Sequence, residues 1–289
     1  MMATLDTLLR EACVPSAGGT PPLTRLDAEL LLCHVLSRPR SFLHARPELT
    51  PDAAAVERFR ALLQRRRAGE PLAYITGERE FWSVALKLNR DTLIPRPETE
   101  TLVEQALIAI PVEANWTVAD LGTGSGAIGL AIASERPRCR VIATDVSPAA
   151  LDVARANASA LGLRNVEFRH GSWVAPLGDL TCELIVSNPP YIAEQDAHLA
   201  APELSYEPHR ALVAGPSGLE ALAAIAAAAP ARLVAGGSLM LEHGYDQREP
   251  LASLLADAGY ENIRCYRDLS GNDRVTAARR PEREGYRDG

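Results

Sequence analysis

The chain has 289 residues, of which 47% are hydrophobic and 23% charged, a balance typical of a globular protein with a sizeable core. No apolar run is long enough to span a membrane, and the first residues lack the basic-then-apolar layout of a signal peptide, so we expect a cytoplasmic protein. Five dispersed cysteines and six dispersed histidines predict neither disulfides nor a metal site. A formal net charge of −7 argues against a broad nucleic-acid interface and predicts no direct nucleic-acid partner.

Residues 1–85 are predicted to form a small all-α domain. Apolar residues recur there at spacings of three or four, as in Leu26, Leu30 and Cys33, and this spacing is typical of an amphipathic helix. The run Thr50-Pro51-Asp52 is predicted to begin a further helix, with Thr50 as its N-cap. The domain would serve either as a structural cap or as a surface that docks a macromolecular substrate.

Residues 86–280 are predicted to form an α/β domain. After a short strand at 86–89 and a stiff, proline-rich connector at 94–100, apolar runs of strand length alternate with helical stretches. This alternation predicts a mostly parallel sheet that is covered by helices on both faces. The strand candidates are 117–121, 140–144, 165–169, 182–187, 237–242, 261–266 and 273–278. Only a loop separates the last two, which predicts an antiparallel hairpin at one edge, and residues 281–289 are predicted to be a disordered tail.

A glycine-rich loop follows the first of these strands. The strand carries Asp120 among apolar neighbours, and Gly122-Thr123-Gly124-Ser125-Gly126 leads from it into a predicted helix. Such loops bind nucleotides in doubly wound folds, because glycine lets the backbone approach a ligand closely. Two cofactors fit the spacing. Gly124, Gly126 and Gly129 match the dinucleotide fingerprint, whereas the tighter repeat behind Asp120 resembles the first motif of S-adenosylmethionine methyltransferases.

Three further side chains bear on the choice of cofactor. The carboxylate of Asp120 suits the amino group of S-adenosylmethionine and repels a pyrophosphate, although a buried strand-end acid that caps nearby amides would look the same. Asp145 ends the second strand, where it is predicted to accept hydrogen bonds from the ribose of either cofactor. Trp173 follows the third strand and is predicted either to stack on an adenine ring or to fill the core.

The run Asn188-Pro189-Pro190-Tyr191 follows the fourth strand candidate. An amide nitrogen is a weak nucleophile because its lone pair is delocalised, so a catalyst must orient it. Asn188 Oδ1 and the Pro189 carbonyl offer two acceptors for an NH2 group, and the prolines stiffen the loop without adding a donor. Tyr191 is placed to cover a planar group. The alternative is an ordinary Asn-Pro turn after a strand.

The loops after the first and fourth strands of a doubly wound sheet meet at its topological switch point. The glycine loop and the Asn188 run would therefore share one site. Their joint placement predicts transfer of a methyl group from a sulfonium to a planar amide or amine nitrogen, a reaction that depends on orientation and needs no metal. Other ionisable residues in this region are interpreted as strand-end hydrogen bonders or solvated loop charges: His243, Asp196, Glu203 and Glu207.

The chain resembles the HemK/PrmC family, the peptide chain release factor glutamine methyltransferases. The resemblance runs from about residue 23 to residue 280. It rests on the glycine loop and on four further segments, 69–77, 93–100, 188–191 and 268–275. The segment 93–100, with its proline-arginine-proline run, is the most specific, because methyltransferases in general lack it.

The resemblance implies a class I S-adenosylmethionine-dependent methyltransferase fold, Rossmann-like, with seven strands in the order 3-2-1-4-5-7-6 behind a helical substrate-docking domain. It implies methylation of the glutamine nitrogen in the Gly-Gly-Gln motif of class I release factors, with Asn188, Pro189 and Tyr191 as catalytic residues. The residues implied to bind the cofactor are Asp120, Gly122, Thr123, Gly124, Ser125, Gly126, Asp145, Trp173 and Asn188. Those implied to hold the substrate are Asn188, Pro189, Pro190, Tyr191 and Arg96, with Glu98 helping to shape the pocket.

Three alternatives stay open. A sister enzyme that methylates glutamine in a ribosomal protein shares the catalytic motif and differs in segment 94–100 and in the N-terminal domain. A methyltransferase acting on the amino groups of nucleic-acid bases would need a similar pocket, although the acidic balance weighs against it. A binding module without catalysis is disfavoured because the site residues are intact.

Overall fold

The computed structural model describes residues 3–14 and 23–282. The chain divides into two compact units. The first unit combines Met1–Glu78 with the short segment Ala201–Tyr206, and the second combines Arg79–Ala200 with Glu207–Gly289. The chain therefore leaves the second unit, contributes a short stretch to the first, and returns.

Five helices build the described part of the first unit: α1 (Leu5–Ala12), α2 (Arg25–Leu36), α3 (Arg40–Ala45), α4 (Ala53–Arg67) and α5 (Leu72–Thr76). Their apolar faces form one core around side chains such as Leu31 and Phe59. The prediction of Thr50 as N-cap is wrong. Asp52 caps α4, because its Oδ1 accepts a hydrogen bond from the Ala55 N–H at 2.7 Å and satisfies a donor that the helix itself leaves unpaired.

The prediction of helices throughout residues 1–85 is also wrong at its C-terminal end. Strands β1 (Glu78–Phe81) and β2 (Val84–Lys87) form a two-stranded sheet. Trp82 and Ser83, which join them, have φ angles of 49° and 60°, as a two-residue hairpin turn of this hand requires. The Trp82 N–H donates to a Glu100 carboxylate oxygen at 3.0 Å, a contact from outside the hairpin that no local pattern reveals.

The second unit continues with nine strands and six helices among its described residues. The strands are β3 (Thr117–Leu121), β4 (Arg140–Asp145), β5 (Val166–His170), β6 (Cys182–Ser187), β7 (Ile192–Ala193), β8 (Val213–Gly215), β9 (Leu233–Glu242), β10 (Glu261–Arg267) and β11 (Asp273–Arg279). The helices are α6 (Glu100–Ala109), α7 (Ala127–Glu135), α8 (Pro148–Ala160), α9 (His209–Leu212), α10 (Glu220–Ala228) and α11 (Arg248–Asp257).

Seven of these strands form one sheet in the order β5-β4-β3-β6-β9-β11-β10. Numbered within the sheet along the chain, this order is 3-2-1-4-5-7-6, so the predicted fold class and strand order are confirmed. β11 runs antiparallel to β9 and β10, and the other neighbours are parallel. Successive residues of β6, such as Leu184 and Ile185, belong to two separate apolar clusters, as expected for a sheet buried on both faces.

The register of the central strands brings their carboxyl ends level. Leu121 of β3 pairs with Ser187 of β6, and Ser187 pairs with Leu241 of β9. The residues that come next along each strand, Asn188 and Glu242 among them, therefore lie at one edge of the sheet.

Residues 283–289 of the predicted tail lie outside the described residues.

Candidate active site

A cavity lies at this carboxyl edge of the second unit. It contains about 1010 Å³ of empty space including its open mouth. The sequence-predicted residues that line it are Gly122, Thr123, Gly124, Ser125, Asp145, Trp173, Asn188, Pro189 and Pro190. Predicted residues that are not among the described lining are Asp120, Gly126, Tyr191, Arg96 and Glu98.

The glycine loop forms one wall, and Asp145 braces it. Gly124 N–H donates to Asp145 Oδ2 at 2.9 Å, and Ser147 N–H donates to Asp145 Oδ1 at 2.8 Å. Each carboxylate oxygen keeps a second acceptor position, which suits a ribose hydroxyl. Gly126, the residue before α7, has a φ of 89°, and a Cβ there would lie 2.8 Å from Leu130 Cδ1. Gly126 therefore supports the loop through its shape and lies behind the wall.

Asp120 is fully buried beneath the same loop. Its Oδ2 accepts hydrogen bonds from Thr123 Oγ1 at 2.6 Å and from Gly129 N–H at 2.9 Å, while Oδ1 has no hydrogen-bond partner among the described residues. Burial raises the pKa of Asp120 to about 6, although both hydrogen bonds act in the opposite direction. These contacts are those of a strand-end acid that caps nearby groups. A direct contact between Asp120 and a cofactor amino group stays a prediction.

Trp173 lines the cavity and also packs against an apolar core cluster, and its stacking on an adenine ring stays a prediction. The ring lies beside the glycine loop, since a Cβ built on Gly122 would be 3.5 Å from Trp173 Cζ3. Its backbone has a φ of 45°, and its carbonyl accepts from Thr144 Oγ1 at 3.1 Å. A positive φ is unfavourable for a bulky residue, so the surrounding contacts must hold this ring in place.

Asn188 follows β6 and reaches across to the residue that precedes α6. Its Nδ2 donates to Thr99 Oγ1 at 3.2 Å, which leaves Oδ1 as the free end of the amide. Glu242, the last residue of β9, is fully buried. Burial raises the pKa of Glu242 to about 7, while the nearby Thr99 hydroxyl and the Arg274 charge act in the opposite direction.

Tyr191 contacts the same buried carboxyl group. Its hydroxyl donates to Glu242 Oε1 at 3.4 Å, and its ring packs on a core cluster of the sheet. Burial and the nearby Glu242 charge raise the pKa of Tyr191 well above its usual range. Gln247 Nε2 donates to the Tyr191 carbonyl at 2.9 Å and fixes the loop. The role of the ring as a cover for a planar amide stays a prediction.

Arg96 forms an ion pair with Glu207. Glu207 is buried and also accepts from the Ile94 N–H at 3.0 Å, so its interpretation as a solvated loop charge is wrong. A substrate contact of Arg96 stays a prediction. The interpretation of His243 as a strand-end hydrogen bonder is confirmed, because its Nε2 lies 2.9 Å from Thr276 Oγ1 in the interior.

Sequence reasoning assigned no role to three residues of this region: Thr99, Arg210 and Glu242. Thr99 and Arg210 line the cavity, and Glu242 lies behind it. Glu242 had a usable signal, since it ends a strand at the same edge as Asp145. The other two lie in connectors, where no periodic pattern identifies them.

Two properties of the described ranges 3–14 and 23–282 complete the description. No helix within them has the length and apolar character that crossing a membrane requires. No cluster of three or more histidine, cysteine, aspartate or glutamate side chains within them is arranged to hold a metal ion.

A sheet of this order, with a glycine loop after its first strand, an acid ending its second and Asn-Pro-Pro after its fourth, defines an S-adenosylmethionine-dependent methyltransferase. Residues 8–77 match the PrmC N-terminal domain, and residues 99–216 match the methyltransferase small domain. The chain belongs to the release factor glutamine methyltransferase family, as the following relatives show.

A release factor glutamine methyltransferase of Xylella fastidiosa is 50% identical over 265 residues, which cover 92% of this chain and 96% of the relative. That of Vibrio cholerae is 47% identical over 288 residues, which cover 98% of this chain and all of the relative. A solved methyltransferase structure from Pyrococcus furiosus aligns with a TM-score of 0.52 at 17% identity over 68% of this chain and 88% of that one. This last likeness shows the fold.

Proposed function

We propose that this enzyme transfers the methyl group of S-adenosylmethionine to the side-chain nitrogen of the glutamine in the Gly-Gly-Gln motif of class I peptide chain release factors. The observation that carries the proposal is one cavity lined by both the glycine loop and Asn188-Pro189-Pro190, in a member of this family. The names of its relatives point to release factors as substrates.

The residues of the cavity fit the cofactor. A Cβ at Gly124 would meet nothing within 4 Å, so the loop leaves open room beside its backbone. Asp145 offers acceptors for a ribose, while Ile128, Val146 and Trp173 add apolar surface for an adenine ring. Bound there, S-adenosylmethionine supplies a methyl group already activated on a sulfonium.

The protein's part in the reaction is orientation of the amide. Asn188 Oδ1 and the Pro189 carbonyl would accept the two amide hydrogens and so direct the nitrogen lone pair towards the methyl group. Pro189 and Pro190 have no N–H, so neither adds a donor beside these two acceptors. Orientation of this kind contributes roughly 7–11 kcal/mol in favourable cases. Formation of the new N–C bond would break the bond between the methyl carbon and sulfur, whose electron pair stays with the departing thioether, and the methylated nitrogen would then release one hydrogen to solvent as a proton, while Asn188 Oδ1 and the Pro189 carbonyl keep the amide in place.

The other predicted roles belong to the same proposal. Gly122, Thr123 and Ser125 would contact the cofactor from the loop, with Asp120 and Gly126 supporting it from behind. Tyr191 would stiffen the Asn-Pro-Pro run, and the helical domain within residues 1–85 would dock the release factor. We propose a cytoplasmic enzyme with release factors as partners and with no direct nucleic-acid contact.

The test is methyl transfer from labelled S-adenosylmethionine to a purified class I release factor, beside the same factor with its Gly-Gly-Gln glutamine changed to alanine. Label on the first and none on the second is expected. Equal label on both would contradict the proposed acceptor atom. Label on neither, with cofactor binding demonstrated by calorimetry, would contradict the substrate and direct the search to the glutamine of a ribosomal protein.

A further inference from the structure

Large apolar side chains are exposed at both edges of the seven-stranded sheet. Among the described residues of the second unit they are Ile108, Val112, Val146, Tyr245 and Leu269. Ile108 and Val112 lie at the end of α6 and in the loop that leads into β3, towards the amino edge. The other three lie in loops at the carboxyl edge, beside the cavity. Val146 lines that cavity, whereas the proposed reaction makes no use of Tyr245 or Leu269.

The register of the sheet places Tyr245 and Leu269 at the carboxyl edge. β9 runs parallel to β6, so the residues that follow Glu242, Tyr245 among them, lie beside the end of β6. β11 runs antiparallel to β9 and pairs Val275 with Glu242, so the turn between β10 and β11, which carries Leu269, lies at the same edge. Neighbouring strands are about 4.8 Å apart, which puts this turn roughly 10–14 Å from the end of β6 across the sheet.

A hydrogen-bonded turn presents Tyr245. The Gln247 N–H donates to the Gly244 carbonyl at 2.9 Å, and the Gly244 N–H donates to Gln247 Oε1 at 2.9 Å. Gln247 Nε2 also donates to the Tyr191 carbonyl at 2.9 Å and so joins this turn to the last residue of the Asn-Pro-Pro-Tyr run. Tyr245 is 60% exposed. Its side chain is therefore carried by backbone that is fixed to the proposed catalytic loop.

A second braced turn presents Leu269, which is fully exposed. Asp268 is buried in this turn, and its Oδ1 accepts from two backbone N–H groups of the turn at 2.9 and 3.0 Å. Arg274 joins the two turns, because its Nε donates to Asp268 Oδ2 at 3.3 Å and its Nη1 donates to the His243 carbonyl at 3.2 Å. Continuous hydrogen bonding therefore connects the Leu269 turn, the Tyr245 turn and the catalytic loop.

An apolar side chain held in water by a braced turn adds nothing to the stability of the fold, but it suits the binding of a partner. Such a turn is ordered before binding, so little entropy is lost when the partner covers it, and burial of the apolar surface is favourable. A macromolecule that buries about 800 Å² of each partner covers a patch roughly 30 Å across. A protein whose glutamine enters the cavity therefore reaches both turns.

We propose that Tyr245 and Leu269 form a docking surface for the protein substrate, and that its occupant is an apolar patch of the release factor beside the loop that carries the substrate glutamine. This inference rests on the proposed function for the identity of the partner. The docking surface is continuous with the substrate site through the bond between Gln247 and Tyr191. One glutamine side chain offers few contacts, so selection of one protein among many requires contacts of this kind outside the cavity.

The test is the affinity of wild type and variants for a purified class I release factor, measured by calorimetry with S-adenosylhomocysteine present so that no turnover occurs. Leu269→Ser and Tyr245→Ser should each raise this Kd about tenfold, as expected for loss of one large apolar contact, and the double variant should raise it further. The Kd for S-adenosylhomocysteine should stay within about twofold, since neither residue is among the described lining of the cavity. Ile108→Ser makes a similar change at a side chain that is 71% exposed towards the opposite edge, and this control should leave both Kd values unaltered.

Two further readouts locate the contact. In the methyl-transfer assay the loss should appear in KM for the release factor and be overcome at saturation. Leu269→benzoylphenylalanine should cross-link to the release factor on illumination, and Ile108→benzoylphenylalanine should not. A wild-type Kd in the double variant would overturn the inference, as would an equal loss in Ile108→Ser. So would a wild-type dimer in light scattering that Leu269→Ser dissociates, because a second copy of the chain would then cover the surface.

Failure of the proposed function has a different signature. A wild type that binds the release factor and leaves it unlabelled would refute methyl transfer, while the comparison of Kd values still decides whether Tyr245 and Leu269 dock the partner. Normal labelling with KM unaltered in the double variant would refute the docking surface and leave the proposed function standing.

Discussion

Replacing Glu242 with glutamine should stabilise the second unit at neutral pH and change little at acid pH. Burial raises the pKa of Glu242 from an ordinary 4.5 to about 7 in the folded protein. A difference of this size between the folded and unfolded states corresponds to roughly 3 kcal/mol. At a pH below the ordinary value the carboxyl group is protonated in both states and carries no penalty. Between the ordinary pKa of 4.5 and the folded pKa of about 7 the unfolded chain ionises while the folded protein stays protonated, so the wild type loses stability across this range, whereas glutamine cannot ionise.

The assay is urea unfolding followed by tryptophan fluorescence, because Trp82, Trp116 and Trp173 are the chain's three tryptophans and all belong to the second unit. The free energy of unfolding of the variant minus that of the wild type should grow from near zero at about pH 4.5 to roughly 3 kcal/mol at about pH 8. Asp120, whose pKa is raised to about 6, titrates in both proteins and cancels from the difference. A difference that does not vary with pH would refute a buried, ionising Glu242.

Further substitutions address the site directly. Asn188→Ala should retain cofactor affinity and lower kcat about tenfold or more, since one oriented acceptor contributes about 1–3 kcal/mol; wild-type turnover in the methyl-transfer assay would remove Asn188 from the mechanism. Tyr191→Phe should be milder than Tyr191→Ala, with Tyr260→Phe as the buried-hydroxyl control, and equal kinetic losses in both Tyr191 variants would assign the role to the hydroxyl. Gly129→Ala should cost about 1–3 kcal/mol in urea unfolding, because its Cβ would lie 2.9 Å from a buried carboxylate oxygen, and an unchanged midpoint would contradict this. Asp145→Ala should weaken cofactor binding about tenfold by calorimetry, and an unaltered Kd would show that its brace on the loop is dispensable.

The sheet could be predicted because its signals are local. Each central strand is an apolar run, such as Leu184 to Val186, bounded by turn residues, and parallel strands buried on both faces carry that pattern. The Asn188 run and the glycine loop follow such strands directly, so a rule about strand ends places both at one edge of the sheet. The hairpin of β1 and β2 was not predicted because its turn, at Trp82 and Ser83, contains none of the glycine, asparagine or aspartate residues that usually mark a two-residue hairpin turn.

The hydrogen bonds that hold the site residues in place join positions far apart in the sequence, so no sequence pattern predicts them. Thr99 and Asn188 are 89 positions apart, and their hydrogen bond appears only when the sheet is assembled. The same holds for Glu207. In the sequence it is one charged residue of a polar loop, but in the structure its carboxylate accepts a hydrogen bond from the Ile94 N–H, 113 positions away. Asp120 lies between these cases, because its place near a strand end follows from the sequence, whereas its hydrogen bond with Thr123 depends on how the glycine loop folds.

The segment Ala201–Tyr206 bears on how the two units of this protein evolve, because it belongs to the first unit but is encoded in the middle of the second. It is held within the first unit by the Arg66–Glu203 ion pair at 2.8 Å and by the Tyr206 hydroxyl, which donates to the Ala68 carbonyl at 3.2 Å. The chain therefore passes between the units at three peptide bonds. A gene fusion that replaced only the N-terminal helices would leave Ala201–Tyr206 without the side chains of the first unit that it contacts. A new helical unit would have to arrive together with a matching piece of the catalytic gene. Such a coupling favours descent of the two units as a single block over shuffling of either one alone.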